Sequence, residues 1–238
     1  MANVEPTEPR EASLARRRAR NPRTKPTRAE QVEQNRNALM QAAAEVIGEY
    51  GYAEASISRI TERAGLAHGT FYRHFESRQE LFDELLPAKG LEVLEHLRGS
   101  VKGARDFLEL EQRGLHAFFE FAKDHPWFFR LLHEAEVHAP AAYRTHIDNI
   151  MRHFRKALRR SWENGELPGY DESELDTLAY LMISARDYVY AQYVARSGNI
   201  SEALPKAVET YRKFISFGLK GEAAKWPAGN PAVPGDPS

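Results

Sequence analysis

Cysteine is absent from the 238-residue chain. That absence excludes disulfides, thiolate nucleophiles and cysteine metal ligands, and it fits a protein of the reducing cytoplasm. No run of about 18 apolar residues, the length that spans a bilayer, occurs in the sequence. The N-terminal stretch lacks the apolar centre of a secretory signal, and its acidic residues and prolines argue against a transit peptide. We therefore expect a cytoplasmic protein, associated with the nucleoid if it binds DNA, without a membrane segment.

An excess of charge of either sign is also absent, because the formal net charge is −1. Binding to nucleic acid would have to depend on local charge. Such charge occurs between Arg10 and Arg28, where eight arginine and lysine residues stand against Glu11 alone. Two interpretations remain open for residues 1–27: a flexible, solubilising leader, or an arm that reaches the DNA minor groove.

Sequence motifs of enzymes are lacking as well. There is no nucleophile elbow, phosphate-binding loop or dinucleotide fingerprint. His133 and His138 are five residues apart, which misses one helical face, and His146 and His153 have no third ligand at an obvious spacing. We expect all four to be surface histidines, and we predict no catalytic site, no metal site and no cofactor.

What is present is a helix-turn-helix pattern in residues 57–75. Gly65 separates two short helical patterns and can adopt the positive φ that ends the first of them. The apolar anchors are Ile57, Ile60 and Ala64 before the turn and Leu66, Phe71 and Phe75 after it. The second helix would then present polar side chains outward, as a reader of a DNA groove does.

Residues 64–75, Ala-Gly-Leu-Ala-His-Gly-Thr-Phe-Tyr-Arg-His-Phe, with Arg78 and Leu81 after them, resemble the signature of the TetR-like bacterial transcription regulators. The resemblance covers about residues 35–86. It implies backbone contacts to DNA from Ser56, Thr70, Tyr72, His74 and Arg78, and it places Ser58, Arg59, His68, Gly69 and Arg73 towards base edges or the groove wall. Ala67 departs from the family pattern, which usually has Ser or Thr there to cap the recognition helix.

Helices on both sides complete a DNA-binding head. An apolar stripe predicts a first helix over about residues 27–50, which Gly51 ends. Ser56 and Ser77 are expected to be N-caps, with Glu80 at the capping-box position after Ser77. The helix after Ser77 meets Pro87, which should either kink it into a hinge or begin a new helix after a break.

The remainder is helical in pattern, so the predicted fold is all-α. Helices are predicted over residues 104–123, 124–133, 141–164, 172–196 and 201–218. The predicted organisation is an N-terminal arm over residues 1–27, a helix-turn-helix head over 28–86, a helical effector-binding and dimerisation domain over 87–221, and a disordered tail over 222–238.

Aromatic residues are abundant in the C-terminal half. A stripe of aromatics at helical spacing is more often core than pocket, but an apolar effector site attached to a DNA reader would need such residues. The resemblance implies a ligand here. The candidate ligand-binding residues are Phe118, Trp127, Tyr143, Phe154, Tyr180, Arg186 and Tyr190.

The helix predicted over residues 172–196 is apolar around nearly its whole circumference, so protein must cover it on two opposite sides. The resemblance implies that it forms a homodimer interface with the last helix. Arg186 and Asp187 lie inside this apolar helix. Two interpretations remain open for them: ion pairs with a neighbouring helix or subunit, or an anchor in which Arg186 binds an anionic ligand such as a fatty acyl carboxylate or acyl-thioester.

We therefore predict a homodimeric repressor that binds a palindromic operator in double-stranded DNA and is released by a small apolar effector, for which a fatty acyl-like molecule is one candidate. The alternative is a DNA-bound adaptor of the same fold that no ligand regulates.

Overall fold

The computed structural model describes residues 27–197 and 200–219 of the chain. In these ranges the regular structure is entirely helical. The helices are α1 (Arg28–Tyr50), α2 (Ile57–Arg63), α3 (His68–Phe71), α4 (Arg78–Val101), α5 (Phe107–Asp124), α6 (Trp127–His138), α7 (Pro140–Glu163), α8 (Leu175–Ser197) and α9 (Ile200–Leu219), with a 3-10 turn at Glu172–Glu174. The prediction of an all-α fold is confirmed. Within the same ranges, no helix is long and apolar enough to cross a membrane.

The first turns of α1 belong to a separate unit that ends at Asn37. In that unit Gln31 donates a hydrogen bond to Asn35, and Asn37 donates one to Glu33. Both links are four residues apart and so stabilise the helix locally. The unit that begins at Ala38 contains the rest of the described chain.

Three short-range predictions in the head are confirmed. The Ser56 side chain caps α2 by accepting from the amide of Arg59, and Ser77 caps α4 by accepting from the amide of Glu80. Gly65, with φ of +67°, makes the turn between α2 and α3, a conformation that glycine adopts without steric cost. The first turn of α3 has no side-chain cap, because Ala67 cannot provide one.

Pro87 does not break the connection between head and body. It lies inside α4, which continues without interruption from Arg78 to Val101. The helix tolerates the lost amide because the flanking residues Leu85, Leu86 and Lys89 are buried and hold it in place. The prediction of a new helix after a break is therefore wrong.

In the body, α5 begins at Phe107 rather than residue 104, since Asp106 caps it by accepting from the amide of Glu109. Helix α6 begins at Trp127 and ends at His138, so the predicted range of 124–133 was shifted. Residues His125 and Pro126 separate α5 from α6 and delay the start of the second helix.

Helix α4 packs against α5, α6 and α7, and α9 packs against α5 and α8. One hydrophobic core runs from Leu39 in α1 to Leu219 at the end of α9. Large apolar side chains remain exposed on α8 and α9: Tyr180, Leu181, Tyr188, Tyr193, Phe214 and Phe217.

Candidate functional site

The recognition segment consists of α3 and the turn after it, residues 68–75. Phe71 and Phe75 are fully buried, and their rings lie 5.6 Å apart. Tyr72, between them, is 56% exposed. His68, Gly69 and Arg73 are also exposed, whereas Thr70 and His74 are half-buried. The buried rings therefore fix a short helix that presents a polar and aromatic surface outward.

The other residues expected to contact DNA, at the backbone or at base edges, flank this segment. Ser56 and Ser58 are exposed at the start of α2. Arg59 forms an ion pair with Glu54 at 3.4 Å, and its guanidinium lies over the ring of Tyr50. Arg78 donates to the carbonyl of Ala53 at 3.4 Å and lies over the ring of Phe82. Both arginines are thus oriented by neighbouring groups while their side chains remain on the surface.

Two adjoining cavities lie in the body. The larger, of about 200 Å³, is lined by side chains from α4, α5, α7 and α8. The smaller, of about 70 Å³, extends to α6. Both linings include Leu94, Leu97, Phe154 and Arg186. The cavities are therefore neighbours in one apolar region, and Arg186 borders both.

Arg186 is 8% exposed and is paired inside the protein. Its Nη2 and Nε lie 2.5 and 3.1 Å from Oε1 of Glu111, a residue of α5 that is 1% exposed. The hydroxyl of Tyr211 in α9 donates to the same oxygen at 2.8 Å. Burial acts to lower the pKa of Arg186, but the charge of Glu111 and the contacts with Glu111 and Tyr211 together raise it above its ordinary value. The predicted ion pair with a neighbouring helix is confirmed, and Asp187 likewise contacts His133 at 3.0 Å.

His146 lines the smaller cavity and is 2% exposed, so the prediction of a surface histidine is wrong at this position. Gly90 makes room for it, because a Cβ on Gly90 would lie 2.1 Å from the His146 Nδ1. Burial lowers the pKa of His146 to about 4, so the ring is neutral at neutral pH.

The structure separates the seven predicted ligand residues into two groups. Phe118, Phe154 and Arg186 line the two cavities. The other four lie outside these linings. Trp127 packs on Gly48, Tyr143 is half-buried, Tyr180 is exposed, and Tyr190 stacks on Phe129 with ring centres 3.8 Å apart.

Helix α6 connects the cavity region with the head. Arg130 donates to the carbonyls of Gly48 and Glu49 at the end of α1, at 3.4 and 2.9 Å. Glu134 accepts from the amide of Tyr52 at 2.8 Å and from Arg130 at 2.7 Å. Other residues of the same helix, Phe128 and Leu132, line the smaller cavity. One helix therefore contacts both the cavity and the base of the head.

Sequence reasoning missed Glu111, His146 and Tyr211. A signal for Glu111 was present, because Phe107, Glu111 and Leu115 recur at intervals of four on the apolar face of α5. A carboxylate at such a position predicts a buried partner. Its partners, Arg186 and Tyr211, are 75 and 100 residues away in the sequence, so no local sequence pattern indicates them.

Residues 39–85 match the family model described as bacterial regulatory proteins of the tetR family. The chain is similar in fold to a TetR-like transcriptional regulator from Rhodococcus sp. RHA1, with 21% identity, 83% of this chain and 100% of that chain covered, and a TM-score of 0.62. It is also similar to the fatty acid degradation regulator FadR from Bacillus halodurans (19% identity, 79% and 96% covered, TM-score 0.62).

A third similar structure is FadR from Bacillus subtilis in complex with stearoyl-CoA (16% identity, 78% and 98% covered, TM-score 0.66). The buried anchors, the glycine turn and the exposed recognition surface described above all lie within the matched residues 39–85. The helix-turn-helix head of this chain therefore matches the tetR family of bacterial regulatory proteins, and its helical body has the fold of TetR-like regulators.

Proposed function

We propose that the protein is a homodimeric repressor, which binds a palindromic operator and is released by a small apolar, fatty acyl-like effector. The head comprises residues 28–86, and the body extends from residue 87 to 221. The predicted arm and tail lie outside the described residues, except for Thr27.

The exposed recognition segment is the observation that carries this proposal. Tyr72 exposes more than half of its surface although it lies between two buried phenylalanines. An exposed aromatic side chain beside His68 and Arg73 contributes little to the stability of the protein itself. Hydroxyl and basic groups on the first turns of a helix reach phosphates and base edges when that helix enters the major groove.

The apolar faces of α8 and α9 support a homodimer. Phe214 and Phe217 are 72% and 80% exposed, and Leu181 and Tyr188 are more than 60% exposed. A second copy related by a two-fold axis would cover the same residues on both chains. Two heads would then engage successive major grooves about 34–36 Å apart on a palindrome.

The two cavities and α6 support regulation by an effector. A ligand that fills the smaller cavity contacts Phe128 and Leu132, and the same helix holds the end of α1 through Arg130 and Glu134. A shift of α6 would therefore tilt the head relative to the body. A hundredfold change in operator affinity needs only about 2.8 kcal/mol of coupling. The stearoyl-CoA in the similar structure supports an acyl-like ligand.

The test measures binding of the purified protein to a duplex from its own promoter region, together with its mass in solution. We expect a dimer that protects one palindromic site, and Phe217→Glu should give folded monomers that bind this duplex far more weakly. A wild-type monomer that ignores the duplex at low salt would refute the proposal. Dimers that bind many dispersed sites without changing transcription would favour an adaptor instead.

A further inference from the structure

The buried polar groups that border the two cavities have no net charge at neutral pH. The other titratable side chains in the linings, Arg98, His153 and Asp187, are at least partly exposed, and Arg98 and Asp187 pair with Glu95 and His133. Arg186 and Glu111 are both charged and neutralise each other at 2.5 Å. His146 is neutral because burial lowers its pKa to about 4. An anionic ligand placed among these three residues would therefore meet no uncompensated positive charge, and it would lose its hydration on entry.

The same residues have unused hydrogen-bonding capacity. Oε2 of Glu111 is buried and has no hydrogen-bond partner among the described residues, and the same holds for Nε2 of His146. Glu111 engages Arg186 through Nε and Nη2, so it leaves the N–H groups on Nη1 to other acceptors. Glu111 and Arg186 both border the larger cavity, so an unpaired acceptor and a donor lie beside it, and buried polar groups in proteins are normally satisfied.

We infer that the effector is a neutral molecule with a medium-length apolar chain, whose polar group both donates and accepts hydrogen bonds, such as a primary amide or a hydroxyl. The group donates to the Glu111 carboxylate and accepts from Arg186. This inference rests on the proposed effector function of the cavities, and it narrows the ligand from any acyl-like molecule to one without a free carboxylate at this point.

The size of the region sets the chain length. The cavities have volumes of about 200 and 70 Å³. A cavity of about 150 Å³ is large enough for benzene, so a ligand of roughly ten non-hydrogen atoms would fill both. The chain would lie among Leu94, Leu97 and Phe154, which border both cavities.

Three probes of this size separate the possibilities: octanamide, methyl octanoate and octanoate. They carry, in order, a neutral donor and acceptor, a neutral acceptor only, and an anion at about pH 8. Binding to the full-length protein is measured by calorimetry, and release from its promoter duplex by fluorescence anisotropy. We expect octanamide to bind at least about tenfold more tightly than octanoate, with methyl octanoate between them.

Glu111→Gln should reverse this order. The substitution removes the negative charge and leaves the Arg186 guanidinium uncompensated, so octanoate should gain affinity and octanamide should lose its advantage. Glu109→Gln is the matched control, because Glu109 lies on the same helix but pairs with Arg105 and Arg113 outside both linings. If Glu111→Gln does not fold, the ranking on the wild-type protein decides alone.

The outcomes test the neutral ligand and the effector cavity separately. If octanoate equals or exceeds octanamide, or if methyl octanoate matches octanamide, the inference is wrong while the effector cavity stands. If none of the three binds up to its solubility limit although the protein still binds its operator, the cavity is not the effector site and both ideas fail.

Discussion

Tyr72 in the head and Arg186 in the body are the polar side chains on which the two proposed activities depend, and their surroundings are opposite. Tyr72 is 56% exposed, and the residues beside it, His68 and Arg73, face solvent too. Arg186 is 8% exposed and bonds Glu111 from another helix. Exposed residues contribute little to folding, whereas a buried ion pair is part of the core.

The difference shows that the two surfaces should respond differently to substitution. Changes at the exposed residues of the recognition segment should alter operator affinity and leave stability nearly unchanged. Changes around Arg186 should alter stability, and their effect on ligand binding should follow from the altered stability. Between these two regions, the contacts of α6 with the end of α1 should affect both properties.

The largest effect is expected for Arg186→Met. It leaves the Glu111 carboxylate buried without a counter-charge, at a cost of about 3–5 kcal/mol in the free energy of unfolding. Urea denaturation measures this cost. Glu111→Gln added to the same chain should restore part of the loss, because no buried charge then remains.

Arg155→Met is the matched control for that variant. Arg155 pairs with Asp176 at 2.6 Å, but about half of each side chain is exposed. Its removal should cost less than about 1 kcal/mol. Equal losses in the two arginine variants would contradict the distinction between buried and exposed pairs.

Gly48→Ala should have the next largest effect. A Cβ at this position would lie 2.2 Å from Cβ and 2.6 Å from Cα of Trp127, so α1 and α6 would have to separate. We expect a loss of about 1–3 kcal/mol and an altered operator affinity in the same protein. Gly99→Ala in α4 meets nothing within 4 Å and should be neutral or slightly stabilising in the same melts.

Arg73→Ala should change function without changing stability. It should weaken operator binding by about 1–3 kcal/mol if Arg73 reads a base, with no change in thermal midpoint. Anisotropy titrations at two salt concentrations make the measurement. Arg152→Ala removes an exposed arginine from α7 and should leave operator affinity unchanged, so a similar loss there would indicate a general charge effect.

The smallest effect concerns the exposed contact between His133 and Asp187. The hydrogen bond to Asp187 raises the pKa of His133 above its ordinary value of 6.5. The stabilisation is therefore fully present below pH 6.5 and is lost as pH rises through the raised pKa. His133→Gln should remove this pH dependence, which amounts to less than about 1 kcal/mol because the pair is half exposed. The free energy of unfolding of both proteins is measured by denaturation at several pH values across this range. If the contact contributes nothing, the dependence of this free energy on pH will be the same in the two proteins.

Local chemistry decided how much of the structure could be predicted. Ser56, Gly65 and Ser77 act on residues within a few positions, so the sequence alone was sufficient to identify their roles. The predicted bounds of α6 were shifted because the start of this helix depends on how the chain continues from α5 through His125 and Pro126.

The body required contacts that sequence patterns do not carry. Glu111 and Arg186 are 75 residues apart, and the space for His146 depends on Gly90 in another helix. Aromatic content drew attention to the body, but it did not distinguish Phe154, which borders both cavities, from Tyr190, which is packed against Phe129.

The bonds from Arg130 and Glu134 to residues 48–52 matter for anyone who builds chimeric regulators. The last carbonyls of α1 are satisfied by a side chain from the body, so a head cut out after residue 86 would leave them without that donor. A graft onto a foreign body would need an arginine and a glutamate at equivalent places, and the exchange boundary should therefore be chosen by these bonds rather than by the end of the family signature.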